Sequence, residues 1–360
     1  MSRRRLRMVL AWFAPWAGFL VLGGVRGSEL LAGLTAGRAD LLIASWSALG
    51  AIVFLPAGYA LHSRARRRAA ETDGRSLGRA AWKRFRANRL AMVAVWVMGL
   101  LCVISLLAPL LAPYDPLAID DVMSTRYQSP SLQHPFGTDE FGRDLLSRAI
   151  YGGRVSLSIG VLAMFVAMTV GTLYGAASGY LGGWIDNVLM RIVDVILAFP
   201  TFFLLLMLVG LFEPSVPVMV LVLGLTAWTG TSRLIRAEVM ALREKEFVEA
   251  ARVLGVPRRR ILLRHVIPNA LSPLLVSATL MVGGMISAES GLSFLGIGIS
   301  PPTPTWGNMV AAGGDALLVA WWMAFFPGAL LAVTIVCLNL IGDGLRDALD
   351  PKSLMRRFVG

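Results

Sequence analysis

The chain is poor in the residues from which metal sites, disulfide frameworks and hydrolytic centres are built. Its 360 residues include only two cysteines and three histidines. Cys102 and Cys337 each lie inside a long apolar stretch, where neither a disulfide nor a metal-ligand spacing is indicated. His62, His134 and His265 are scattered, and no Ser/His/Asp or paired-carboxylate constellation is recognisable. We therefore predict a protein that is not an enzyme and that itself binds no cofactor or metal.

The sequence also lacks the loop with which nucleotide-hydrolysing proteins hold phosphate. No Gly-x-x-x-x-Gly-Lys-[Ser/Thr] segment occurs in it. Gly296-Ile297-Gly298 comes nearest to a dinucleotide-binding turn, but the third glycine is missing and no strand precedes it. We interpret this segment as a loop that leaves a helix. The sequence therefore predicts no nucleotide-binding loop on this chain.

Charged residues are scarce, at 16% of the chain, whereas 56% of it is hydrophobic. A spanning helix needs about 20 mostly apolar residues. The stretches free of Asp, Glu, Lys and Arg are 8–25, 41–61, 90–114, 155–185, 195–212, 214–232, 265–288, 290–314 and 316–342. All but one predict membrane helices. Because Gly and Pro break helices, we expect 290–314 to be a loop beyond Leu295.

The net charge of +12 is unevenly distributed along the chain. Of the 34 basic residues, 27 fall in four segments, at 1–7, 62–89, 233–264 and 343–360. Eight membrane crossings place these segments on one side. Since Lys and Arg are enriched in cytoplasmic loops, both termini are predicted to be cytoplasmic. The basic excess is interpreted as a topology signal, and nucleic acid is not expected as a partner.

The predicted fold class is an all-α membrane protein in several parts. Residues 1–62 predict a transmembrane hairpin, and 63–88 a basic cytoplasmic linker. Residues 89–342 hold six further spans, with a charged cytoplasmic loop at 237–268. Residues 343–360 form a short cytoplasmic tail. No internal repeat suggests the inverted symmetry of secondary transporters.

The charged loop is the most informative segment. Residues 237–254 contain no Gly or Pro and are rich in strong helix formers. Phe247, Ala251 and Leu254 are predicted to share one face of this helix. Gly255 suits the left-handed conformation that ends a helix. Taken alone, the loop leaves open an ordinary amphipathic interfacial helix of a channel.

Glu249-Ala250-Ala251, then Gly255 and Ile267-Pro268, resemble the EAA loop of ABC-importer permeases. Residues 76–352 resemble the smaller-subunit type of inner-membrane permease from the dipeptide, oligopeptide and nickel ABC importers. The matching segments are 82–86, 111–116, 134–144, 264–270, 292–296, 301–309 and 342–351. The N-terminal hairpin departs from that family, and so does His265, where the general pattern has Ile.

The resemblance implies a six-helix type I ABC importer transmembrane core, here with two additional N-terminal transmembrane helices, in a bacterial inner membrane surrounded by lipid. It implies a permease that forms a path with a second permease subunit. Two ATP-binding subunits would carry ATP and Mg²⁺, and an extracytoplasmic substrate-binding protein would deliver di- or oligopeptides. Nickel or another small ligand is the alternative. A channel or secondary transporter would need broken helices or a polar ring, and neither is clear in the sequence.

The resemblance also implies roles for particular residues. Those assigned to ATPase coupling are Glu246, Phe247, Glu249, Ala250, Ala251, Leu254, Gly255 and Pro268. Candidates for docking the binding protein in the outer loop are Asp139, Glu140, Arg143 and Asp144. The alternative is that this loop packs only on the partner permease.

Other polar and small residues carry structural expectations. Glu289, near the outer end of the fifth core helix, either lines the translocation path or reaches outside water. Arg191 and Asp194, three residues apart, are predicted to pair with each other. Residues 145–151 predict a short amphipathic helix lying on the membrane. The small-residue stripe Gly171, Gly175 and Gly179 predicts close helix packing.

Overall fold

The computed structural model describes residues 74–119 and 122–349, so the predicted hairpin at 1–62 lies outside the described residues. The regular elements of the described part are helices. They are α1 (Gly74–Ala87), α2 (Arg89–Leu106), α3 (Ala108–Leu111), α4 (Val122–Thr125), α5 (Leu145–Leu181), α6 (Gly183–Leu197), α7 (Thr201–Gly210), α8 (Val216–Arg243), α9 (Glu246–Val253), α10 (Arg258–Ile261), α11 (Ile267–Phe294), α12 (Trp306–Asp315) and α13 (Trp322–Leu349).

Five helices of the described part are long and apolar enough to cross a membrane. They are α2, α5, α8, α11 from Pro273 onward, and α13. A sixth span results if α6 and α7 are counted together, although they meet at an angle of 81°. The all-α membrane core with five or six spans is thereby confirmed, but the single helix predicted at 195–212 is wrong. Pro200 separates α6 from α7, with an extended backbone (φ −58°, ψ 121°) that a helix cannot continue through.

The longest helix, α5, lies at the centre of the bundle and packs against α2, α8, α11 and α12. Its 37 residues span about 55 Å at the usual helical rise. The predicted short helix at 145–151 is wrong, because these residues form the first turns of α5. Asp144 caps this helix by accepting a hydrogen bond of 2.7 Å from the Ser147 backbone N–H. The cap satisfies one of the otherwise unpaired amides of the first turn.

Glycines of α5 bring it unusually close to α8, which confirms the packing predicted for the small-residue stripe. A Cβ on Gly171 would lie 2.5 Å from the Thr231 Cβ, and one on Gly179 would lie 2.7 Å from the Arg236 carbonyl oxygen. A Cβ on Gly175, between them, would collide with the backbone carbonyl of Ser232. Helices that approach this closely gain van der Waals contact over their whole length.

The region after α11 is more ordered than its Gly and Pro content predicts. Residues 295–305 form a loop as expected beyond the end of α11, but α12 follows at Trp306 and corrects the prediction that the loop continues to residue 314. A reciprocal capping box starts α12: Thr305 accepts a bond of 3.1 Å from the Asn308 backbone N–H, and the Asn308 side chain accepts one of 3.0 Å from Thr305. Such a box stabilises a helix start despite poor local propensity.

Both ends of the core extend into the segments predicted as linker and tail. Residues 74–87 of the predicted linker form α1, and α13 runs through Leu349, beyond the predicted tail boundary at 343. Phe85 of α1 is only 6% exposed and packs in a cluster with Ala91 of α2 and Ala348 of α13. The described parts of linker and tail are therefore attached to the bundle by buried apolar contacts.

Candidate coupling site

The candidate coupling loop, residues 237–268, starts in the last turns of α8, beyond the apolar part of that helix. α8 ends at Arg243, and α9 starts at Glu246 after an extended residue, Lys245 (φ −79°, ψ 145°). The change of backbone conformation turns α9 away from the axis of α8. Glu246 and Glu249 stand in the first turn of α9 and Arg252 in its last turn. Negative charge at the N-terminal end and positive charge at the C-terminal end complement the helix dipole.

Two side chains attach α9 to the bundle. Val248 and Ala251, three residues apart, are buried in one cluster with Ile235 and Val239 of α8 and with Ile261 of α10. Burial of such side chains contributes roughly 1–3 kcal/mol each. Motion of α9 is therefore linked to α8 through packed side chains.

The prediction that Phe247, Ala251 and Leu254 share one face of α9 is wrong. Phe247 is 43% exposed and Leu254 is 81% exposed, whereas Ala251, assigned to the same face, is buried. The reason is that the inward stripe runs through Val248 and Ala251, and that Leu254 follows the last helical residue. Glu246, Glu249 and Ala250 are exposed beside Phe247. The exposed face is thus apolar at its centre and acidic at its N-terminal end.

The end of α9 has the geometry predicted for Gly255, which adopts a φ of +73°. The Gly255 N–H donates to the Arg252 carbonyl at 3.0 Å, and the Val256 N–H donates to the Ala251 carbonyl at 3.1 Å. This pair of bonds is a Schellman motif. A Cβ on Gly255 would meet no heavy atom within 4 Å, so the need for glycine is one of backbone conformation alone.

The chain returns toward the membrane through α10, a π-helical turn at Leu262–Val266, and α11. Pro268 stands, partly buried, in the first turn of α11. A proline lacks a donor N–H, and its ring crowds the carbonyl four residues earlier. The wider π turn just before it relieves this conflict. Pro268 therefore shapes the return path of the loop and is not part of the exposed face of α9.

Two ion pairs connect α6 to α8 near the coupling loop. Asp186 accepts two hydrogen bonds of 2.6 Å from the guanidinium of Arg236, and the Ser178 hydroxyl of α5 donates to the same carboxylate. Asp194 pairs with Arg233 at 2.6 Å and also makes the predicted pair with Arg191, at the longer distance of 3.9 Å. The sequence prediction missed Arg233 and Arg236 because they lie 39 and 50 residues further along the chain than Asp194 and Asp186.

Glu289 is fully buried, at 0% exposure, so it neither reaches outside water nor borders an open path in this conformation. Its carboxylate accepts a hydrogen bond of 2.8 Å from Ser293, with Ser290 at 3.4 Å. A Cβ on Gly307 of α12 would lie 3.2 Å from a Glu289 carboxylate oxygen. Glu289 thus stands at the contact between α11 and α12.

The charged cluster of the outer loop is turned inward. The Asp139 carboxylate accepts bonds of 2.9 Å from the backbone N–H groups of Phe141 and Arg143, and one of 2.7 Å from Arg143 Nε. Asp139, Arg143 and Asp144 are all buried. Asp144 also contacts His134 Nδ1 at 2.9 Å, in addition to capping α5. These charges stabilise the loop, so their side chains do not form the exposed docking surface that the sequence suggested.

Glu140 is the member of this cluster that remains partly exposed. Burial, followed by repulsion from the Asp139 carboxylate, raises the pKa of Glu140 above its ordinary value of 4.5, while Arg143, Arg148 and Arg126 oppose the shift. Its carboxylate is the one charged group of the four that a partner could reach.

Family models match two parts of the chain. Residues 171–354 match the binding-protein-dependent transport system inner membrane component, and residues 76–130 match the N-terminal TM domain of oligopeptide transport permease C. The first match covers the coupling loop and both ion-pair helices α6 and α8. The chain belongs to the family of binding-protein-dependent transport system inner membrane components.

Several curated relatives resemble this permease over most of their length. The oligopeptide transport system permease protein OppC of Haemophilus influenzae is 42% identical over 282 residues, 78% of this chain and 91% of the relative. OppC of Escherichia coli K12 is 43% identical over 78% of this chain and 93% of its own. The dipeptide transport system permease protein DppC of Bacillus subtilis is 37% identical over 76% of this chain and 85% of the relative. A solved structure of the MetNI methionine ABC transporter, facing inward, aligns with a TM-score of 0.47 at 17% identity, over 57% of this chain and 96% of that one.

Membership of this family fixes the class of the protein. The permease is a multi-pass inner-membrane component of an ABC transporter, a transport subunit and not an enzyme. The family matches start at residue 76, so the segment before it lies outside both matched regions. The resemblance inferred from the EAA loop and its flanking segments is confirmed.

Proposed function

We propose that this permease is the smaller-type subunit of an ATP-driven importer for di- or oligopeptides. The three named relatives support this ligand class, since at 37–43% identity they are permeases of oligopeptide or dipeptide transport systems. Nickel or another small ligand, carried by the same mechanism, is the alternative. The ligand path is formed jointly with a second permease subunit.

The proposed complex contains, besides the second permease, two ATP-binding subunits and an extracytoplasmic substrate-binding protein. ATP and Mg²⁺ are held by the ATP-binding subunits. Both termini of this chain lie in the cytoplasm, in line with the concentration of Lys and Arg in alternate loops. The coupling loop at 237–268 then lies on the same side as the ATP-binding subunits.

The observation that carries the proposal is the division of α9 into two faces. Val248 and Ala251 pack on the bundle, while Phe247 and Leu254 are exposed without a partner in the described part of this chain. An exposed aromatic residue on a short rigid helix is a typical anchor at a protein interface. We infer that Phe247 inserts into a cleft of an ATP-binding subunit. Closure of that subunit would then move α9 and, through the buried cluster, α8.

The same movement is proposed to reach the bent α6–α7 pair. Arg236 and Arg233 of α8 hold Asp186 and Asp194 of α6, so α6 follows α8. A rigid-body change of this kind could alternate access to the two sides of the membrane. At the outer face, Glu140 and the surrounding loop are proposed to contact the substrate-binding protein or the partner permease.

Association with the ATP-binding subunit tests the role of α9. Phe247→Asp, made in the assembled complex, should abolish co-purification of the ATP-binding subunits while the permease pair still inserts and associates. Leu263→Asp is the matched control, because Leu263 is 50% exposed but lies outside α9. Retention of the ATP-binding subunits by Phe247→Asp would refute the proposed anchor.

Transport by the reconstituted complex tests the ligand class. Liposomes containing the complex and its binding protein should accumulate labelled di- or oligopeptide only when ATP is supplied on the side of the coupling loop. Uptake of a nickel chelate, with no uptake of peptide, would replace the proposed ligand with the alternative. Peptide uptake that persists without ATP would refute the importer mechanism itself.

A further inference from the structure

α1 is a basic helix that ends where the first described span starts. Residues 74–114 contain six Lys or Arg residues, all within 74–89, and no Asp or Glu. Between α1 and α2, Asn88 takes an extended backbone (φ −79°, ψ 101°), and its side chain accepts a bond of 3.2 Å from the Ala91 N–H. The chain therefore changes direction at Asn88, and α1 does not prolong α2 along the axis of the span.

Two relationships place α1 beside the ends of the spans α2 and α13. The Phe85 ring packs so close to α13 that a Cβ on Gly344 would lie 3.2 Å from it. Gly344 follows the apolar run of α13, which ends before Asp343. Trp82 stands six residues before Asn88, about 9 Å along a helix. Trp82 therefore lies close to the ends of the spans α2 and α13 at which the basic residues begin.

The outward face of α1, together with Arg89 at the start of α2, combines an aromatic ring with exposed cations. Trp82 is 56% exposed and stacks beside Phe85, with ring centroids 6.0 Å apart. Lys83, Arg86 and Arg89 are exposed, and none of them makes an ion pair within the part of the chain that the structure describes. An exposed Trp among Lys and Arg, on a helix anchored by one apolar side chain, is typical of helices that lie in a membrane interface.

We propose that α1 lies on the inner leaflet and binds the headgroups of anionic phospholipids. Lys83, Arg86 and Arg89 contact lipid phosphates, and Trp82 inserts its ring at the level of the headgroups. The stretch from 74 to 114 contains no carboxylate, and none of these cations makes an ion pair in the described part of the chain. Since Phe85 joins α1 to α2 and α13, bound lipid also holds the cytoplasmic ends of these two spans together. This role goes beyond transport and coupling.

Fluorescence quenching by brominated lipid tests the proposal on the purified full-length permease. The protein is placed in nanodiscs of phosphatidylcholine with a minor fraction of phosphatidylglycerol, and bromine is carried by one lipid or the other at equal mole fraction. The signal of Trp82 is the difference between wild type and Trp82→Phe. We expect stronger quenching of Trp82 when phosphatidylglycerol carries the bromine, and a weaker preference at high salt.

Neutralising the cations should remove this preference. In Lys83→Gln/Arg86→Gln/Arg89→Gln, the preference for phosphatidylglycerol should be lost, because each basic residue near an anionic surface contributes about 1 kcal/mol, or about fivefold in affinity. The matched control, Arg258→Gln/Arg259→Gln/Arg260→Gln, loses the same charge from exposed residues of α10 and should keep the preference. Equal quenching by both lipids, no quenching of Trp82, or an unchanged preference in the α1 variant would overturn the proposal. Loss of the ATP-binding subunits by the α1 variant, with lipid preference intact, would assign the surface to a protein partner instead.

Discussion

Arg236 of α8 holds Asp186 of α6 by two parallel hydrogen bonds, each 2.6 Å long. The planar guanidinium matches the carboxylate in a way that Lys could not. Ser178 of α5 donates to the same carboxylate, so three helices meet at one side chain. This junction lies between α9, the segment proposed to contact the ATP-binding subunit, and the 81° bend of the α6–α7 pair.

Arg236→Ala should weaken both the fold and transport. It leaves the mostly buried Asp186 without its main donor, which costs about 1–3 kcal/mol for a charged hydrogen-bond partner. Thermal unfolding in detergent should show the loss of stability. Arg191→Ala is the control, since that side chain is largely exposed and 3.9 Å from its nearest carboxylate. Equal melting temperatures for both variants would show that the junction is not stabilising.

Gly175→Ala should force α5 and α8 apart, because the new Cβ would collide with the Ser232 carbonyl oxygen. Overpacking of this kind typically costs about 1–3 kcal/mol. Gly230→Ala, on the other side of α8, meets no atom within 4 Å and should be neutral or slightly stabilising. The comparison is made by thermal unfolding of the purified permease. A Gly175→Ala variant as stable as wild type would contradict the close packing.

The small-residue stripe shows what the sequence could predict. Gly171, Gly175 and Gly179 recur every four residues, so their shared face follows from helix geometry alone. The helix that packs against this face could not be inferred from the sequence, because the α8 residues that contact the three glycines lie about 60 positions later. Arg233 and Arg236 were missed for the same reason, and the pairing of Arg191 with Asp194 was favoured only because it is local. Sequence spacing identifies a face, but it does not identify what covers that face.

Trp306→Phe should destabilise the outer end of the bundle. The Trp306 ring N–H donates to the Ala149 carbonyl at 2.9 Å, and its backbone N–H donates to Ser156 Oγ at 3.1 Å. Phenylalanine keeps the second bond and loses the first, at a cost of about 1–2 kcal/mol. Trp96→Phe, at an exposed and apolar position of α2, should leave the melting temperature unchanged. Equal effects from the two variants would contradict the anchoring role of Trp306.

Glu140→Gln should stabilise the outer loop at neutral pH. The folded-state pKa of Glu140 is raised by burial and by Asp139, so the charged form is disfavoured in the folded loop. The raised pKa stabilises the folded loop fully when the pH is below the pKa of Glu140 in the unfolded chain. This stabilisation is lost as the pH rises through the pKa of Glu140 in the folded protein. Gln removes this loss at pH 7 but makes little difference near pH 4. Thermal unfolding at both pH values, with Glu213→Gln as the exposed control, checks the sign.

The candidate sites show where sequence reasoning succeeded and where burial overrode it. The left-handed Gly255 was predicted because few other residues tolerate that conformation, and the structure has it. The faces of α9 were misassigned, since the pattern could not tell that Val248 would be the innermost residue. Asp139 and Arg143 were expected on the surface because charged residues are mostly exposed. They are buried because each satisfies the other within the loop.

Transport by complexes that carry Gly255→Val tests the coupling role of α9 most directly. Valine at a φ of +73° introduces about 1–3 kcal/mol of backbone strain, which displaces the end of α9 without disturbing the membrane spans. Gly255→Ala should be milder, and Arg258→Ala, an exposed change three residues later, serves as the control. We expect Gly255→Val to reach the membrane but to lose ATP-driven uptake, either by uncoupling hydrolysis or by releasing the ATP-binding subunits. Undiminished uptake in both Gly255→Val and Arg258→Ala would contradict the role assigned to this helix.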